Sequence, residues 1–93
     1  MTGKIEVKVI IKGKVQGVFY RAHTQKAALK QGVTGYVRNR PDGSVEAVFQ
    51  GDQNQVDQMV QWCRTGSPAS NVSDVEVENM ATPSHYSSFE ITY

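Results

Sequence analysis

At 93 residues, with 39% hydrophobic and 20% charged side chains, the chain has the size and balance of one soluble globular domain built on one core. A formal net charge of +1 supplies no global field for nucleic acid or an anionic membrane, so any anion must be recognised locally. The single cysteine, Cys63, excludes an internal disulfide and a multi-cysteine zinc site, and no apolar run approaches the ~20 residues of a membrane span.

The first segment, Ile5 to Lys12, alternates. Ile5, Val7, Val9 and Ile11 fall on one side, and Glu6, Lys8, Ile10 and Lys12 on the other, which predicts a half-buried strand with Ile10 as the exception on its outer face. With Glu6 and three lysines by position 12, this N-terminus does not read as a signal peptide, and a reduced cytoplasmic setting is the expectation. A glycine-bearing loop, Gly13 to Tyr20, comes next. Arg21 to Gln31 favours helix, with a thin buried face of Thr24, Ala28 and, beyond its end, Val33. Gly32 stands where a left-handed cap ends such a helix.

Gly35 to Arg40 and Ser44 to Gln50 are β-prone runs flanking Pro41-Asp42-Gly43, a hairpin signal. Asp52 then caps a helix whose apolar residues Val56, Met59, Val60 and Cys63 recur at helical spacing, with Trp62 beside the stripe. Gly66 and Pro68 end that helix. Val72 to Met80 reads as a strand with Val75 and Val77 in phase. A polar loop, Thr82 to His85, leads to a short last strand through Phe89, Ile91 and Tyr93. The order is strand, helix, strand, strand, helix, strand, then the short extra strand. It predicts an α+β fold, the ferredoxin-like split βαβ sandwich: an antiparallel four-stranded sheet plus a short C-terminal strand, with two helices on one face. Residues 1–93 read as a single domain without repeat, linker or low-complexity segment.

Chemistry concentrates in two stretches. In Gly13-Lys14-Val15-Gln16-Gly17-Val18-Phe19-Tyr20-Arg21 the glycines either merely allow a strand-to-helix turn or bring backbone amides onto a ligand. Amides at a helix N-terminus with an arginine among them suit phosphate. The stretch is neither a Walker loop nor a dinucleotide fingerprint. In Gly35 to Val45, Asn39 is either a turn-capping residue or, sharing parity with Val37, one that points toward the helix side and the loop. His23 reads as a solvent-facing helix residue rather than a base. His85 reads as a surface residue and Cys63 as a small buried one, while Asp74, Glu76 and Glu78 form the outer face of a strand. No His/Asp/Glu spacing suggests a metal.

Gly13, Val15, Gln16, Gly17, Val18 and Arg21, together with Gly35-Tyr36-Val37-Arg38-Asn39 and Gly43-Ser44-Val45, closely resemble the two signatures of the acylphosphatases. Gly66-Ser67-Pro68 with Ser70, and the closing Ser88-Phe89, Ile91 and Tyr93, extend the resemblance over nearly the whole chain. It departs from the family at Tyr20, where Phe is usual, at Gln31, where an apolar residue is usual, and at Asn71, where a basic one is common. The resemblance implies a monomeric hydrolase of acyl phosphates that needs no cofactor or metal. Phosphate is implied as its product and inhibitor, without nucleic acid or membrane partners. It further implies that the backbone amides of Val15, Gln16, Gly17, Val18, Phe19 and Tyr20 hold the phosphate, that Arg21 clamps it, and that Asn39 orients the attacking water. Two other readings compete. The first, an RNA-binding module on the same fold, would carry RNP aromatics, and this chain lacks that motif. A domain channelling a carbamoyl-type phosphate within a larger assembly is disfavoured by the 93-residue length. The α-carboxylate of Tyr93 is a candidate partner for Arg21.

Overall fold

The alternation of the first segment does make a strand, β1, running over Ile5–Lys14 in a computed structural model that describes residues 4–80 and 86–93. Val7, Val9 and Ile11 are buried in the core, as the pattern requires. Glu6, expected on an outer face, is buried as well. Its carboxylate accepts a hydrogen bond from Gln50 Nε2 at 3.1 Å across the register pair Glu6↔Gln50. The polar residues of two neighbouring strands thus shield one another from water.

Helix α1 spans Tyr20–Gln31 and closes at Gly32, whose N–H donates to Ala28 O at 2.9 Å. Its buried side is Tyr20, Thr24 and Ala28, residues small enough (Tyr20 apart) to bring the helix close to the sheet. Strands β2 (Thr34–Asn39) and β3 (Val45–Gly51) form the expected hairpin, each ending one residue short of its predicted turn-side boundary. Arg40 N still donates to Ser44 O at 2.9 Å, but the carbonyls of both residues also accept from the Gln16 side chain. Helix α2 (Gln53–Thr65) opens with a reciprocal capping box between Asp52 and Gln55 and buries Val56, Met59 and Cys63. Strand β4 (Asn71–Asn79) is largely exposed at one edge of the sheet. Its Asp74, Glu76 and Glu78 keep that edge from pairing with another chain. Strand β5 is Phe89–Thr92, and the stretch expected as a polar loop around His85 lies outside the described residues.

The sheet order is β4-β1-β3-β2-β5. The first four strands are antiparallel, as expected, but β5 lies parallel to β2, from Gly35↔Phe89 to Arg38↔Thr92, so the sheet is mixed. The direction follows from connectivity: β5 runs opposite to β4, and β4 itself runs opposite to β2. Phe89 stacks on Phe49 with ring centroids 5.7 Å apart, which fastens the last strand to the core. The arrangement places the carboxyl ends of β1, β2 and β5 at the same end of the sheet.

Candidate active site

The loop joining β1 to α1 is held from below by its own side chains. Val15 and Val18 are buried in the core, while Gly17 between them and Phe19 just after are exposed. Three tethers fix it laterally. Gln16 Nε2 donates to Arg40 O at 2.7 Å and to Ser44 O at 2.8 Å, tying the loop to the hairpin turn. Ser67 Oγ donates to Val18 O at 2.9 Å, and Tyr20 Oη donates to Cys63 O at 2.9 Å. With side chains and carbonyls so engaged, the N–H groups of Gln16, Gly17, Val18 and Phe19 donate to no described residue. Consecutive unpaired amides beside a helix N-terminus form a place for an anion.

Two backbone conformations shape this cradle. Gly17 has φ +75°, and a Cβ there would meet nothing within 4 Å, so it would stand in the open mouth of the cradle. Phe19, the N-cap of α1, also adopts the left-handed conformation (φ 61°, ψ 25°) and is 78% exposed. That conformation costs a residue with a Cβ roughly 1–2 kcal/mol. The electrostatics point the same way. The first turn of α1 contains no acid and does contain Arg21, the opposite of what the helix dipole favours. An anion at the N-terminus relieves both the dipole and the guanidinium.

The Arg21 guanidinium lies over the Tyr93 ring, 4.9 Å from its centroid. Among the described residues it makes no ion pair, so the candidate link to the Tyr93 carboxylate is not formed, and the contact is a cation–π one with the ring. Asn39 ends β2 opposite Val45, on the same face as the fully buried Val37. Its Oδ1 is buried and has no hydrogen-bond partner among the described residues. A buried acceptor in that state can take a hydrogen bond from a water or a ligand that enters the site.

These groups line one pocket of about 350 Å³: Val15, Gly17, Phe19, Tyr20, Arg21 and Ala22 on one side, Asn39 on another, and Ile91 and Tyr93 of the last strand closing it. Of the residues named from sequence, Gln16 and Val18 do not line it; Gln16 is turned to the hairpin and Val18 to the core. His23 is exposed and lines a different cleft. Cys63 is fully buried, and burial pushes its thiol up to about 12, well away from a nucleophile's range. The Tyr20 hydroxyl finds its partner in Cys63 O, and burial raises it beyond any role in proton transfer. Sequence reading missed Ser67 as a tether and the Tyr93 ring as the support of Arg21; both contacts join segments far apart along the chain. Among the described residues no three His, Cys, Asp or Glu side chains gather as metal ligands would.

The acylphosphatase family model matches residues 7–91. A curated acylphosphatase of Syntrophobacter fumaroxidans is 51% identical over 90 residues, covering 97% of this chain and 93% of its own. One of Pelotomaculum thermopropionicum is 48% identical over 85 residues, covering 91% and 92%. The crystal structure of acylphosphatase from Bacillus subtilis superposes with a TM-score of 0.92 at 35% identity, over 96% of this chain and 99% of that one. With two helices on a five-stranded sheet and matches of this extent, the chain belongs to the acylphosphatase family.

Proposed function

We propose that the enzyme hydrolyses the carboxyl–phosphate bond of acyl phosphates by holding the phosphoryl group in the cradle and aiming one water at it. The amides of Val15 to Tyr20 and the Arg21 fork take the phosphoryl oxygens. Asn39 takes the water, whose O–H donates to Oδ1 so that a lone pair faces phosphorus. Attack forms the new P–O bond as the bond to the acyl oxygen breaks. The departing carboxylate, with a conjugate acid near pKa ~4, needs no strong general acid. A phosphoryl oxygen accepts the water's proton, and positioning with charge stabilisation supplies the acceleration. No step is assigned to a cofactor or metal. Inorganic phosphate leaves as product and competes for the same cradle. We further infer that residues 1–93 act as a single-domain monomer in the cytoplasm.

The observation that carries this reading is the buried Asn39 Oδ1, which shares a pocket with Arg21 and the cradle and, like the cradle amides, has no hydrogen-bond partner among the described residues. It is tested by phosphate release from benzoyl phosphate, with p-nitrophenyl phosphate as the control ester. Arg21→Ala is expected to lose both turnover and inhibition by phosphate, and Arg21→Lys to restore little, because a point charge does not reproduce a bidentate fork. Asn39→Ala is expected to lower kcat by about 10²–10³ while phosphate still inhibits. Full kcat in Asn39→Ala beside a ~10²-fold loss in His23→Ala would replace water positioning by a histidine base.

A further inference from the structure

A second cleft, of about 390 Å³, opens on the outer surface of the helix layer between α1 and α2. That volume is in the range that encloses a small molecule. Its floor is apolar: Met59 is fully buried, and Ala27 and Trp62 are half-buried. Its rim is basic. His23, Lys26 and Lys30 follow one another at helical spacing along α1 and are all exposed.

Nothing in the cleft answers that charge. None of the side chains lining it is acidic, and α1 has no acidic residue along its length. On α2, Asp57 lies outside the lining and accepts a hydrogen bond from Gln53 Nε2 at 2.9 Å. Neither Lys26 nor Lys30 pairs with a described residue. In a chain whose net charge is only +1, two uncompensated ammonium groups over an apolar floor are a local concentration.

We propose that this cleft binds a small amphipathic anion, a medium-chain or aryl carboxylate. Its apolar body lies on Met59, Ala27 and Trp62, and its carboxylate lies between the Lys26 and Lys30 ammonium groups with the His23 imidazole beside it. Each CH₂ of the ligand that leaves water for this floor adds to the affinity. Lysine suits this role because its three rotatable donors follow a carboxylate without demanding one geometry. The cleft shares no lining residue with the catalytic pocket. It nevertheless touches the cradle at one remove, since the Trp62 ring packs on that of Tyr20 with centroids 5.4 Å apart.

Trp62 is the only tryptophan, so its emission reports the cleft directly. The full chain is titrated with octanoate in saturating phosphate, which keeps the cradle filled. Octanol supplies the same body without charge, and acetate the charge without a body. Octanoate is expected to give a saturable change, with octanol and acetate weaker by about tenfold or more, the scale of one lost charge-assisted hydrogen bond. Lys26→Gln/Lys30→Gln, both exposed and both good helix formers, is expected to weaken octanoate by a similar factor while melting stays near the parent's. Octanol binding as tightly as octanoate, or unchanged affinity in the double variant, would overturn the proposal. So would the absence of any saturable change both in Trp62 emission and in the amide shifts of Ala27 and Met59.

Discussion

Phe19 and Gly17 sit two residues apart in the same backbone region for different reasons, and substitution separates them. Phe19 adopts φ 61° although the residue is 78% exposed, so little packing offsets the strain. Phe19→Gly is expected to raise stability by roughly 0.5–1 kcal/mol, strain relief less the extra freedom of glycine in the unfolded chain, and to raise Tm by a few degrees. Gly17→Ala is expected to do the reverse. It introduces strain at φ +75° and sets a methyl in the open mouth, lowering both Tm and the affinity for phosphate. Thermal melts of both variants with and without phosphate decide the matter; a Phe19→Gly protein less stable than its parent would show that the ring packs in solution.

Between elements, the start of α1 completes the end of α2. The last carbonyls of a helix lack intrahelical donors. Gly66 N–H answers Trp62 O at 2.8 Å, and the Tyr20 hydroxyl answers Cys63 O at 2.9 Å. Tyr20→Phe therefore leaves a buried carbonyl unpaired and is expected to cost about 1–3 kcal/mol in denaturant unfolding. No loss would mean that the bond contributes nothing net. The cap joins residues 43 apart along the chain. It also marks where the sequence stops being readable. The alternation of β1, the Val56–Met59–Cys63 stripe and the Asp-Gly turn are local patterns imposed by one buried face, and they read correctly. The Tyr20 cap, the Gln16 tether and the burial of Glu6 depend on partners more than twenty residues away, which no periodicity encodes. Asn39 was legible through its parity with Val37, whereas the parallel direction of β5 depends on how the chain crosses the molecule. For Arg21, position and neighbours were readable, but not whether ring or carboxylate of Tyr93 would meet it.

For the molecule as a whole, burial sets an alkaline limit to stability. It pushes the Cys63 thiol from an ordinary value of 9.0 up to about 12, and it raises Tyr20 and Tyr36, the latter helped by Glu46. Above pH ~9 the unfolded chain releases these protons while the native state retains them, so stability present below that pH is lost as pH rises. The urea midpoint is expected to fall steadily from pH 9 to 11, and less steeply in Cys63→Ala; a flat profile would contradict this burial. Glu46 acts at the acid end. Burial pushes its carboxyl up, but hydrogen bonds from Tyr36 and Arg38 outweigh this and hold it low. Its contribution is therefore present above the ordinary carboxylate range and lost as pH falls through its native value. The sheet order has a kinetic consequence. The cradle, Asn39 and Tyr93 come from the ends of β1, β2 and β5, which the sheet brings together through pairings far apart in sequence, so the pocket is expected to form late in folding. Non-local pairing of this kind folds slowly. An anion in the cradle then acts as a brake on escape from the native basin: phosphate is expected to lower the unfolding arm of the chevron and leave the refolding arm where it was. Acceleration of refolding by phosphate would instead place the cradle in the transition state.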